Sequence, residues 1–154
     1  KKFFTIETAP AAMMPHSIYN FMRMVEGAEW DDTLLIHGDH IIVATMKTNQ
    51  GELKERTTNS ELLFLEYTNE FPHDDLTVGF VGKLGGPEFY INSQDNSKLH
   101  GPGTQPHHLD GDADPCFARI TRGSDIVEQI LEGSVAVIQH VEILNKLHSG
   151  EKTI

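Results

Sequence analysis

The chain reads as a mostly β protein, a closed antiparallel barrel whose open ends are plugged by two α-helices. Three observations predict this. Apolar runs of four to eight residues recur between turn-forming Gly, Pro and polar clusters, too closely spaced for βαβ units. Only two stretches carry helical periodicity, one near each end of the chain. The terminal apolar pieces, Phe3 to Thr8 and Val137 to Leu144, would pair or neighbour in a barrel, where closure leaves neither with an open edge. At 154 residues and 38% hydrophobic content the chain suits one core, expected over 1–148 with a polar tail at 149–154.

Taken in order, Phe3-Phe4-Thr5-Ile6-Glu7-Thr8 is a strand with its exit at Ala9-Pro10. Pro15, whose fixed φ suits a first helical turn, or Ser17 as cap, opens the first helix. Ile18, Phe21, Met22 and Val25 make its apolar face, Arg23 and Glu26 point to water, and Gly27 ends it. Leu34 to His37 and His40 to Thr45 flank Gly38-Asp39 and read as a hairpin. Polar residues 47–60 read as a surface loop. Strands are expected over Leu62 to Tyr67, Leu76 to Val81, Glu88 to Ile91 and Phe117 to Ile120, with a long loop from Asn92 to Asp114. Gly123-Ser124-Asp125 caps a second helix, Ile126 to Leu131, and Val135 to Leu144 is a last strand region.

A formal charge of −11 and 12 scattered Lys+Arg argue against a nucleic-acid partner, which needs a basic face. No apolar run approaches the length that spans a bilayer, so no membrane insertion by this segment is expected. The lone Cys116, between Pro115 and Phe117, is expected to be a buried, inert thiol. Met13, Met14, Met22 and Met24 read as core and loop packing. The chain starts at Lys1 without an initiator Met and carries no signal-like segment, which fits the processed part of a longer organellar or secretory precursor and leaves the compartment open.

Pro15-His16-Ser17-Ile18-Tyr19-Asn20-Phe21 resembles the first-helix signature of the cyclophilin-type peptidyl-prolyl isomerases, Pro-x-Thr-Val-x-Asn-Phe. Trp30 to His37 is similar to that family's aromatic-x-Gly-Thr-x-Phe-His-Arg strand, and Glu88-Phe89-Tyr90-Ile91 to its Gln-Phe-Phe-Ile strand. Cys116 to Ile120, followed by Gly123-x-Asp125-Ile126-Val127-Glu128-x-Ile130, resembles its Val-Phe-Gly-x-Val and Gly-x-Asp-Val-Val-x-x-Ile segments, and Val141 to Leu144 fits its last strand. The resemblance runs from Phe3 to about Leu144 and implies a closed cyclophilin-like barrel.

The activity it implies is rotation about X-Pro bonds, against a barrier of roughly 18–20 kcal/mol. In that family the proline ring sits in an apolar pocket and an arginine guanidinium donates to the prolyl nitrogen, stabilising the twisted amide. Here the resemblance places His37 at the arginine, His40 at the pocket phenylalanine, Ile41 at the methionine and Val43 at the glutamine that contacts substrate backbone. Val81-Gly82 falls near an Ala-Asn pair, Glu88 at a second glutamine and Asp114 at the pocket histidine, while Ile41, Tyr90 and Leu109 keep apolar character. Imidazole donates one hydrogen bond when neutral, whereas guanidinium is always charged with a fixed fork of donors. Two readings follow: a binding module or assembly subunit that has lost catalysis, or a weak isomerase with His37 in the arginine's place. Either takes a protein or a proline-containing peptide as partner and needs no cofactor.

His100, His107, His108, Asp110, Asp112 and Asp114 suggest nitrogen and oxygen donors for a divalent ion, but their spacing matches no ligand motif and they read as a solvated loop with no metal. Gly85-Gly86-Pro87 lacks the Lys-Ser/Thr and following helix of a phosphate cradle and reads as a tight turn. Neither Asn20 nor Asn96 begins a glycosylation acceptor.

Overall fold

The computed structural model describes residues 2–56, 65–81, 87–104, 113–133 and 135–144. Its elements in order are β1 (Thr5–Thr8), α1 (Pro15–Glu26), β2 (Thr33–His37), β3 (Ile41–Thr48), β4 (Thr77–Phe80), β5 (Phe89–Asn92), α2 (Ser97–His100), β6 (Cys116–Arg122), α3 (Ser124–Leu131) and β7 (Ala136–Val137). One antiparallel sheet of seven strands runs β1-β6-β4-β5-β3-β2-β7. β1 and β7 lie at its two ends, and among the described residues no ladder joins them. The mostly β architecture is as expected from the sequence, and the expected pairing of the two terminal pieces is not among these ladders.

The helix α1 begins at Pro15, as its fixed φ favours, but no side chain of its own caps it. Ser17 is inside the helix; its N–H and hydroxyl both donate to one carboxylate oxygen of Glu66, at 2.8 and 2.7 Å. A residue 49 positions away therefore does the work expected of a local cap. The buried face is Ile18, Phe21, Met24 and Val25, with Met22 only partly buried, while Arg23 and Glu26 form an exposed pair. Gly27 closes the helix at φ −79°, a conformation that does not require glycine.

Phe21 is the hub of the core. Its ring lies 5.2 Å from Trp30, 5.7 Å from Phe89 and 5.0 Å from Phe117, centroid to centroid. Such tilted and edge-on contacts add to the area each ring removes from water. Trp30, in the turn before β2, is fully buried with its indole N–H donating to the Pro87 carbonyl at 3.0 Å. Met14 and Met24 are fully buried and Met13 and Met22 pack against the same core, as expected of filler methionines.

Other segments depart from the sequence reading. The loop from Asn92 to Asp114 holds a third helix, the single turn α2, which is too short to show a helical period. Residues 65–67 of the expected strand at Leu62 to Tyr67 have no strand partner, and 62–64 lie outside the described residues. The last strand region shrinks to the two-residue β7, after which residues 138–144 continue without strand structure. Asp31 anchors that tail, accepting from the Val141 N–H at 3.2 Å and pairing with His140 Nδ1 at 2.7 Å. The polar tail at 149–154 lies outside the described residues.

Candidate functional site

Two lateral rows of paired residues define the two faces of the sheet at its centre. His37, Ile42, Ile91, Val78 and Ala118 are neighbours in successive ladders, and all but the strand-end His37 are fully buried in the core. The adjacent row is Ile36, Val43, Tyr90, Gly79 and Cys116. Because directly opposed residues share a face and successive residues alternate, this second row faces away from the core. The short β2–β3 hairpin thus puts Ile36, not His37, on the face that carries Val43 and Tyr90.

That outer face is covered by the chain's own rings. Tyr90 is 1% exposed, with His100 stacked on it at 4.8 Å between ring centroids and His73 at 6.4 Å. Tyr67 continues the pile beyond His73 at 5.9 Å and 8° from parallel. Gly79 makes the arrangement fit: a Cβ there would lie 2.7 Å from the Tyr90 hydroxyl and 2.8 Å from the Pro115 carbonyl.

A buried polar post holds these rings. Asn96, fully buried, donates through Nδ2 to the Asn92 Oδ1 at 2.7 Å and to the His40 carbonyl at 2.8 Å. Its backbone N–H donates to the His73 carbonyl, and its own carbonyl accepts from His100. The Asp114 N–H in turn donates to the His100 carbonyl at 3.0 Å. His40 and His73, from two distant stretches, are thus fixed with Asn92 and His100 around one side chain and its backbone.

Their side chains then form a chain of contacts. His100 Nδ1 lies 2.8 Å from Asp114 Oδ2, and His100 Nε2 lies 3.1 Å from His40 Nε2. Proton accounting sets the tautomers of the neutral pair: Nδ1–H of His100 donates to the carboxylate, leaving Nε2 as acceptor for Nε2–H of His40. His73 stands behind at 5.9 Å from the His100 ring. Burial, then the neighbouring His100, push its pKa down to about 4, with the Asp114 backbone opposing the shift. Burial first, with Asp114 and Cys116 nearby, pushes the Tyr90 phenol well above its ordinary value. Burial also raises the fully buried Cys116 thiol to about 12, in line with the inert thiol expected from sequence.

Of the residues singled out from the sequence, the structure brings together His40, Tyr90 and Asp114 through His100. Ile41 and Val43 lie on the same outer face of β3 as Tyr90 and are half-buried. Val81 and Glu88 face each other just beyond β4 and β5, joined by the Val81 N–H to Glu88 carbonyl bond at 2.9 Å, and the Glu88 carboxylate accepts weakly from Met46 N–H at 3.4 Å. His37 stands apart, and Leu109 lies outside the described residues, as do Gly82, Gly85, Gly86, His107, His108, Asp110 and Asp112. His73 and Asn96 were missed: each sits in a polar stretch whose neighbours give no periodic signal. Among the described residues no three His, Cys, Asp or Glu side chains converge as a metal cage, and no helix is long and apolar enough to cross a membrane.

This sheet, with α1 packed on its core face, is a cyclophilin-like fold. A cyclophilin-type peptidyl-prolyl cis-trans isomerase of Cryptosporidium parvum, solved in the presence of the dipeptide Ala-Pro, superposes with a TM-score of 0.60 over 83% of this chain and 78% of that one, at 12% identity. A second structure of that isomerase gives a TM-score of 0.60 over 88% and 87% of the two chains, again at 12% identity. No protein-family model matches the chain, and no curated protein matches its sequence.

Proposed function

We propose that this chain is a divergent cyclophilin-like domain that binds a protein or serves as a subunit of an assembly, with prolyl isomerisation weak or lost. The observation that carries this reading is the burial of Tyr90. The resemblance puts Tyr90 in the wall of the proline pocket, yet its ring is 1% exposed beneath His100 and His73. A substrate proline has no ring face to pack on while those imidazoles stay in place. His37, which the resemblance puts at the donor's position, pairs with the core residue Ile42 and does not share the face of Tyr90. Loss of a donor aimed at the twisted amide removes stabilisation made only in the transition state.

The second reading, an active isomerase on proline-containing peptides, draws support from the Ala-Pro dipeptide named with the C. parvum structure. The partner surface under either reading is the strip formed by His40, Ile41 and Val43 beside the covered Tyr90, with Val81, Glu88 and Asp114 around it. Closure of the sheet into a full barrel, with its two end strands β1 and β7 brought together, belongs to the same proposal.

An isomerisation assay on a short X-Pro peptide tests it, run on the unmodified chain and on His37→Arg. The expected result is no acceleration by either, because the new guanidinium would hang from the core-side row. Measurable acceleration by the unmodified chain overturns the non-catalytic reading. Peptide binding without acceleration supports a surviving docking strip.

A further inference from the structure

We propose that His40 and His100 form an exchangeable site for a borderline divalent ion such as Zn²⁺ or Cu²⁺, with Asp114 as the positioning residue. The inference does not depend on the isomerase question. It starts from the two Nε2 atoms, which face each other at 3.1 Å. Two imidazoles on one tetrahedral ion, at about 2.0–2.1 Å each, hold their nitrogens roughly 3.3–3.4 Å apart. A shift of a few tenths of an ångström would convert the one arrangement into the other. When an ion takes the place of the shared Nε2 proton, that proton moves through solvent to Nδ1 of His40, and both rings stay neutral.

The surroundings are those of a ligating histidine. Asp114 Oδ2 takes the Nδ1–H of His100 at 2.8 Å, which leaves the Nε2 lone pair aimed at His40. Both ligands stand on prepared backbone. The His40 carbonyl accepts from Asn96 Nδ2 and from Ser93 N–H, and His100 N–H donates to Asn96. Stacking on Tyr90 fixes the plane of the His100 ring. Access is open, because His40 is half-exposed and the His100 side chain is 15% exposed.

The donor set selects the ion. Two neutral imidazoles suit Zn²⁺, Cu²⁺ or Ni²⁺, whereas Ca²⁺ and Mg²⁺ take oxygen ligands. Two protein ligands leave the other positions to water, so the site is exchangeable and does not hold the fold together. That agrees with the lack of a three-residue cage among the described residues.

Calorimetric titration of the folded protein with Zn²⁺ near neutral pH, with Ca²⁺ as the contrast, tests the site. One Zn²⁺ per chain is expected, with no Ca²⁺ binding. His40→Gln and His100→Gln should each weaken Zn²⁺ by at least about tenfold, and Asp114→Ala by about 10–100-fold through loss of its orienting bond. Cu²⁺ spectra supply a readout that a structural role would not move: two imidazole couplings in the unmodified protein and one in His40→Gln. Absence of Zn²⁺ binding, or binding of undiminished strength in His40→Gln, overturns the proposal. The half-exposed His40 makes that variant decisive even if His100→Gln fails to fold.

Discussion

The imidazole of His100 lies over the phenol ring of Tyr90, 4.8 Å between centroids and 29° from parallel, with its Nδ1 on the Asp114 carboxylate. One side chain thus covers the apolar ring that the outer face offers and donates to the acid beside it. His100→Ala removes both contacts, including one donor to the Asp114 side chain, which is 8% exposed. Urea denaturation should show a loss of about 1–3 kcal/mol. A loss below about 0.5 kcal/mol would mean that the contact is not maintained in solution.

His73 gives the fold a pH dependence of defined sign. Its folded pKa of about 4 lies below the ordinary 6.5, so between those values the unfolded chain binds more protons than the folded one. Stability from this residue is therefore full above about pH 6.5, falls as the pH drops, and levels off below about pH 4, a change of at most roughly 3 kcal/mol. His73→Phe keeps a ring between Tyr67 and Tyr90 and removes the titration. Denaturation midpoints of the two proteins, compared across that window, should converge as the pH rises if the variant repacks the site and should separate in its favour as the pH falls.

Glu66 supplies a cap from outside α1. Its carboxylate accepts from the N–H of His16 at 3.2 Å and from the N–H and hydroxyl of Ser17. Glu66→Ala should cost about 0.5–2 kcal/mol, the range of an ordinary cap. Hydrogen exchange localises the effect, with the first turn of α1 losing protection before its centre does.

Cys116 reports on global opening. Its thiol is fully buried, donates to the Pro72 carbonyl at 3.4 Å, and is held protonated by burial. A thiol reagent should label the folded protein only at the rate at which it opens, and label the unfolded chain at once. Rapid labelling under native conditions would contradict the packing of β4 against β6.

Much of the scaffold was legible because local rules produce it. Pro15 and the spacing of Ile18, Phe21 and Val25 specify α1, and the apolar runs around Gly38-Asp39 specify the β2–β3 hairpin. The weakest readings fell where partners are distant. The cap of α1 comes from Glu66, and residues 65–67, the described part of the strand expected over Leu62 to Tyr67, find no ladder.

The candidate site divides in the same way. That His40, Tyr90 and Asp114 belong to one region was an expectation drawn from the resemblance to the cyclophilins. That His73 and His100 complete it, and that His37 does not share its face, was decided by register and by the hydrogen bonds converging on Asn96. Alternation along a strand is a local property and can be read from residue order. Which strands lie side by side, and which ring covers another, depends on contacts between residues as far apart as His40 and His100, and only the packed chain supplies those.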